Sequence, residues 1–219
     1  MAPQVAVFDV LGTVLDERSG FRAALTAVDA RLDDPDGLVD RWLDRISARV
    51  AAIAAGTAGW RPWEDLIDEG LAEVAPEVHR HHGRELATVG RRLPAWPDSA
   101  RGIAALRGTC RVVALSNAGL LPLVDCSRAA GITWDAVLSA GMVRSTKPDP
   151  QVYGFLLDQL GLDPAEVVMV AAHPWDLRAA AEQGLRTAYV RRPDGEPDGR
   201  DDWDWSVGDL VELSTALRD

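Results

Sequence analysis

Lysine is nearly missing from this chain. Of its 23 basic residues, every one is arginine except Lys147. Cysteine is scarce too: Cys110 and Cys126 stand alone, too few for a disulfide framework, and they read as free thiols of a reducing cytoplasm. No apolar run approaches the ~18 residues of a membrane span, and the opening MAPQVAVFDV has no basic segment, so neither a membrane helix nor a signal peptide is expected. Positive charge is outnumbered by 34 acidic residues, for a net charge of −11, and no dense basic cluster offers a face to nucleic acid. Neither G-x-G-x-x-G nor a P-loop occurs, which removes support for a nucleotide cofactor. The serine in Ala114-Leu115-Ser116-Asn117-Ala118 lacks the glycines of a nucleophile elbow.

What is present suits one globular core with a sizeable insertion: 219 residues, 47% of them apolar. Short β-branched runs recur at Val5–Val10, Arg111–Leu115, Ala136–Leu138, Val167–Val170 and Thr187–Val190. They are apolar at nearly every position, as central strands covered on both faces must be. Helical patterns lie between them at Ser99–Leu106, Leu120–Ala130, Pro150–Leu160 and Trp175–Gln183. Strand alternating with helix predicts an α/β fold with a parallel sheet. The first interval breaks the rhythm with about a hundred residues where a crossover needs about a dozen. Gly20–Arg31, Leu38–Ala55, Pro62–Val74 and Pro76–Val89 read there as helices, with start signals at Asp36 and Trp60-Arg61-Pro62 and stops at Gly56 and Gly90. A helical subdomain is therefore expected after the first strand. The stretch Arg192–Trp205 reads as a loop before a last short helix.

Ligands of open α/β sheets bind beyond the carboxyl ends of the strands. Asp9 follows the first run, Ser116 and Asn117 the second, Lys147 the third, and His173 to Asp176 the fourth. Each alone is an ordinary cap, turn or surface residue. Together they bring the only lysine and two carboxylates to one edge. A site that keeps lysine in a chain whose other cations are arginine points to a compact, flexible ammonium that a planar guanidinium cannot imitate.

Four ordered stretches resemble the motifs of the haloacid dehalogenase (HAD) superfamily: Phe8-Asp9-Val10-Leu11-Gly12-Thr13-Val14-Leu15-Asp16, Leu115-Ser116-Asn117, Lys147-Pro148-Asp149-Pro150-Gln151-Val152-Tyr153, and Val170-Ala171-Ala172-His173-Pro174-Trp175-Asp176. The resemblance implies a Rossmann-like parallel-sheet core of residues 1–14 and 93–219 with an inserted helical cap of residues 15–92. Within the superfamily the chain looks most like the L-2-haloacid dehalogenase (type II) branch. Phosphatases of this kind carry a second Asp two residues after the nucleophile to protonate an alkoxide, help worth roughly 10²–10⁴ in rate; here that residue is Leu11. A departing halide is a weak base and needs no acid. Ala171-Ala172 also stand where a phosphatase has Gly-Asp, so no cofactor is expected, with Mg²⁺ reserved for the phosphatase alternative.

The resemblance further implies roles. Asp9 would be the nucleophile that forms an ester with the substrate, and Lys147 would keep it ionised and oriented. Asp176 would activate the water that hydrolyses the ester, and Thr13 would position Asp9. Ser116 would hold the substrate carboxylate, Asn117 would solvate the halide, and Tyr153 would support the site. His173 replaces the Asn of well-known dehalogenases and would be a hydrogen-bond partner of Asp176 or a base shared with it. The expected partner is a small carboxylate, with a homodimer usual in the family. The alternatives are a HAD phosphatase or phosphonate hydrolase, and a HAD-like protein of weak turnover. The last is raised by Leu43, which stands after Trp42 where family members carry a halide-binding Arg. Arg18 and Arg22 are the substitutes nearest in sequence to the first motif. His79, His81 and His82 lie on a polar helix beside Arg80 and Arg84, and are not read as metal ligands.

Overall fold

The computed structural model describes residues 3–193, 195 and 202–218. Six parallel strands form the sheet: β1 (Val5–Phe8), β2 (Arg111–Ser116), β3 (Ala136–Ser139), β4 (Val167–Ala171), β5 (Arg186–Val190) and β6 (Trp205–Val207). Their order is β3-β2-β1-β4-β5-β6. β1 lies between β2 and β4, with Phe8 opposite Ala114 on one side and Val170 on the other. All four of its residues are buried, because alternate side chains enter different cores. Ala6 and Phe8 join one apolar cluster with Ile103, Leu106 and Leu210. Val5 and Val7 join another with Val152, Leu156 and Leu177. The helices that supply these clusters are α5 (Ser99–Leu106), α6 (Leu120–Ala129), α7 (Pro150–Leu160), α8 (Pro174–Glu182) and α9 (Leu210–Ala216).

The winding reverses between β1 and β4, so a crevice opens beyond their carboxyl ends. The long first interval contains four α-helices among its described residues: α1 (Glu17–Val28), α2 (Pro35–Ala54), α3 (Trp63–Val74) and α4 (Pro76–Leu86). α1 starts three residues before the expected Gly20, because Asp16 caps it by accepting from Ser19 N at 3.0 Å. α2 starts at Pro35 for the same kind of reason: Asp34, not Asp36, is its cap. Trp42 of α2 donates to the Ile67 carbonyl of α3 at 2.8 Å and is fully buried. Gly70 permits that approach, since a Cβ there would lie 3.1 Å from the Trp42 ring.

β6 was not expected. The sequence reads as loop up to Trp205, but a strand begins there and pairs with β5 through Ala188, Tyr189 and Val190. Its three residues are too few to show a period of two. Asp204 secures the turn into it by accepting from Thr187 N at 2.8 Å. Residues 194 and 196–201, the middle of the expected loop, lie outside the described residues. Among the described residues no helix is long and apolar enough to cross a membrane.

Candidate active site

Asp9 leaves β1 into the switch-point crevice, and its N–H donates to Val170 O at 3.0 Å. The chain then turns at Gly12, whose φ of +75° is costly for any other residue. A Cβ at Gly12 would also lie 2.7 Å from His173 Nε2, so glycine is required twice over. The turn brings Thr13 back beneath Asp9. Thr13 Oγ1 donates to Asp9 Oδ2 at 2.6 Å and accepts from Ala172 N at 2.9 Å, which fixes the direction of the hydroxyl proton.

Lys147 is 1% exposed and bridges two carboxylates: its Nζ lies 2.7 Å from Asp9 Oδ1 and 2.5 Å from Asp176 Oδ2. Burial alone would lower the lysine pKa, but Asp176 and Asp9 outweigh it and hold it above the ordinary value. Lys147 is therefore an ammonium at neutral pH. Tyr153 donates to Asp176 Oδ1 at 2.5 Å. Burial first, and Asp176 second, push the phenol well above its usual range, so it keeps the proton it donates. Asp176 itself is pushed up by burial against the pull of Lys147.

Asn117 works on the Lys147 backbone: its Oδ1 accepts from Lys147 N at 2.7 Å, and its Nδ2 donates to Lys147 O at 3.4 Å. Ser116 is fully buried and accepts from Ala118 N at 3.2 Å. Across the sheet, three residues grip the turn after Asp9. Trp96 Nε1 donates to Gly12 O at 3.1 Å, Ser99 Oγ to Val14 O at 2.8 Å, and Arg192 Nε to Thr13 O at 2.8 Å. Arg192 is anchored in turn by Asp98, with Nη1 2.7 Å from Oδ1.

A cavity of about 460 Å³ opens above Asp9. Asp9, Asn117, Lys147 and His173 line its polar end. Thr13, Ser116, Tyr153 and Asp176 do not line it; they stand behind Asp9 and Lys147. The pairing expected between His173 and Asp176 is not what the geometry gives. Asp176 bonds to Lys147 and Tyr153, while His173 Nε2 donates to Leu11 O at 3.0 Å and lies 3.7 Å from Asp9 Oδ2. The reason is the Gly12 turn, which leaves room for the imidazole beside the first motif. Trp175 stacks on that imidazole with ring centroids 5.6 Å apart.

Glu17 also lines the cavity, and sequence reasoning missed it. In Asp16-Glu17-Arg18 it reads as a solvated acid of a helix start. In the fold its Oε1 is buried with no hydrogen-bond partner among the described residues. Burial raises its pKa to about 7; His173 opposes that rise and Asp9 adds to it. Arg192 was missed for a similar reason, one arginine among many.

Among the described residues no arginine lines the cavity. Arg18 pairs with Asp40, and Arg22 with Asp36 at 2.8 Å, both on the partly exposed α1–α2 side. Leu43 packs on the apolar cluster. Nor do the donors suit Mg²⁺, which wants near-octahedral oxygen coordination. The two carboxylates are already bridged by an ammonium, positions 171 and 172 are alanine, and no group of three or more ligand-type residues gathers among the described residues.

Sheet order, crevice and charge cluster together define a Rossmann-like α/β enzyme. The profile of the haloacid dehalogenase-like hydrolases matches residues 3–184, and the chain belongs to that family. It is 28% identical over 202 residues to the (S)-2-haloacid dehalogenase 4A of Burkholderia cepacia, covering 89% of this chain and 86% of that protein. It is 30% identical over 187 residues to the phosphoserine phosphatase of Thermus thermophilus, covering 80% and 72%. The solved structure of the defluorinating L-2-haloacid dehalogenase Rha0230 is 35% identical, covers 99% of this chain and 96% of its own, and has a TM-score of 0.89. That of the L-2-haloacid dehalogenase PA0810 is 32% identical, covers 99% of both chains, and has the same TM-score.

Proposed function

We propose that the protein is a cofactor-independent hydrolase of carbon–halogen bonds in 2-haloacids, working through Asp9, with residues 15–92 as a cap over a core of residues 1–14 and 93–219. One observation carries this: a buried aspartate, oriented by Thr13 and Lys147, faces a largely apolar cavity with Leu11 where an alkoxide-protonating acid would stand. An Asp9 oxygen bonds to C2 of the substrate as the carbon–halogen bond breaks, and the halide leaves with the electron pair. Water then adds to Cγ of the ester. Its proton passes to the protein, and the 2-hydroxy acid departs with one proton as Asp9 is regenerated.

Among the titratable residues of the cavity wall, Lys147 is committed as an ammonium. His173 Nε2–H is committed to the Leu11 carbonyl, so Glu17, on the same wall with its pKa raised to about 7, is assigned the water proton. Asp176 is assigned the holding of Lys147, since it lies behind the wall with Tyr153. Ser116, in the same position behind the wall, is assigned to shaping the loop that carries Asn117. A small carboxylate is the partner, and the free thiols of Cys110 and Cys126 suit a cytoplasmic setting. A homodimer remains the proposed assembly.

The test is halide release from both enantiomers of 2-chloropropanoate and from chloro- and fluoroacetate, beside p-nitrophenyl phosphate, each with EDTA or Mg²⁺. Halide release from one enantiomer, unchanged by EDTA, is the expected result. Phosphate release that requires Mg²⁺ would move the protein to the phosphatases.

A further inference from the structure

The cavity is larger than the chemistry at its polar end requires. A three-carbon haloacid would meet Asp9, Lys147 and Asn117 and leave most of the remaining wall uncovered. Its volume of about 460 Å³ lies in the range that encloses ligands of many more atoms, roughly 300–1,000 Å³. Apart from Glu17 and Ser47 the rest of the wall is apolar, with Leu11, Ile46, Val50, Trp63 and Trp175 its large side chains. Ile46 and Val50 stand one turn apart on the same face of α2. Trp63 begins α3, and the two helices are locked together by the Trp42–Ile67 hydrogen bond. This wall belongs to packed helices and not to a loose loop. Ala51, small and exposed, edges the mouth.

Charge narrows the occupant further. Asp9 and Glu17 line the same space, and among the described residues no arginine does. A second carboxylate on the substrate would meet repulsion, because the Lys147 ammonium on that wall is already paired with Asp9 and Asp176. We propose that the cavity selects 2-haloacids with a bulky, uncharged, apolar substituent at C2, such as a branched alkyl or benzyl group, over two- and three-carbon acids and over dicarboxylates. This deepens the dehalogenase reading above and rests on it.

Each methylene buried against such a wall strengthens binding about fourfold. The experiment compares kcat/KM for halide release from (S)-2-chloropropanoate, (S)-2-chloro-4-methylpentanoate, (S)-2-chloro-3-phenylpropanoate and chlorosuccinate. Alongside it, calorimetry gives Kd for the halogen-free propanoate and 3-phenylpropanoate, in wild type and in Ala51→Trp. The expected result is at least a tenfold preference for the branched and phenyl acids over 2-chloropropanoate, with chlorosuccinate poorest. Ala51→Trp should reduce the phenyl-to-methyl ratio at least tenfold, in kcat/KM and in Kd alike. Equal or better turnover of 2-chloropropanoate, or a ratio that Ala51→Trp leaves unmoved, would overturn the proposal. Tight 3-phenylpropanoate binding without halide release from any acid would uphold the apolar site and remove the dehalogenase reading. Equal, weak binding of both halogen-free acids would remove the selectivity itself.

Discussion

Arg192 holds the main chain of Thr13. Its Nε donates to the Thr13 carbonyl at 2.8 Å, while the hydroxyl of the same Thr13 donates to Asp9 at 2.6 Å. The guanidinium is 5% exposed, stacks over Trp96 with its centre 5.5 Å from the ring centroid, and is fixed by Asp98. Through one residue, then, a side chain beyond β5 sets the orientation of the carboxylate beyond β1.

Arg192→Ala should lower kcat about tenfold to a hundredfold with a smaller change in KM, since slight misplacement of a reacting group costs rate. It should also destabilise the fold by about 2–3 kcal/mol, because Asp98 loses its cation in a half-buried setting. Arg192→Lys separates the two effects. It restores charge beside Asp98 but not the fork that reaches Thr13, so Tm should recover more than kcat. Parallel recovery of both would make Arg192 a purely structural residue.

Lys147→Arg should cut kcat at least about a hundredfold despite keeping the charge. A planar guanidinium cannot place one nitrogen between Asp9 and Asp176 as the Lys147 ammonium does. Steady-state halide release measures it, with circular dichroism to check folding. Activity within a few-fold of wild type would show that the lone lysine is replaceable.

Asp9→Asn should abolish turnover, a loss of at least about 10³-fold. Single turnover of wild type in ¹⁸O-water should place the label in the Asp9 carboxylate, read by mass spectrometry of the peptide containing it. Label found directly in the 2-hydroxy acid would mean that water attacks the substrate, and the ester would be discarded.

Glu17 ties activity and stability to pH. Its pKa of about 7 in the fold exceeds the ordinary 4.5, so the folded state binds more protons than the unfolded state between those values. Stability therefore falls as pH rises through that window and is level above it. Glu17→Gln removes this dependence: its Tm should gain on wild type from pH 5 to pH 7.5, and the gain should then stop growing. With Glu17 ionised to take the water proton, wild-type kcat should rise with an apparent pKa near 7, and the variant should lose that limb. A variant whose pH profile overlays wild type would dissociate Glu17 from the reaction.

Leu43 lies one turn before Ile46 and Ser47, which line the cavity. Leu43→Arg can send a guanidinium toward that wall and should raise halide release from 2-chloropropanoate about tenfold or more, as a charge at a developing anion does. No gain, with Tm preserved, would show that the departing halide is received elsewhere.

Much of this protein was legible in its residues. The β-branched runs marked β1 to β5, and the alternation with helices implied a parallel sheet, because burial on both faces leaves an almost uninterrupted apolar signature. Asp9, Lys147 and Asp176 were found as polar residues just past those strands. β6 escaped because three residues at a sheet edge carry no readable period. The start of α1 was misplaced because the cap, Asp16, was hidden within the first motif.

Which residue touches which was decided only by the tertiary structure. Sequence alone brought His173 and Asp176 to the same loop, but the Gly12 turn sends the imidazole to Asp9 and leaves Asp176 to Lys147 and Tyr153. Glu17 became a cavity carboxyl, and Arg192 a clamp on Thr13, through contacts between chain positions far apart. Residue type and spacing determine local conformation and which face of an element is apolar. Desolvation and the partners of a charge depend on what other segments bring beside it, and that is set when the chain packs.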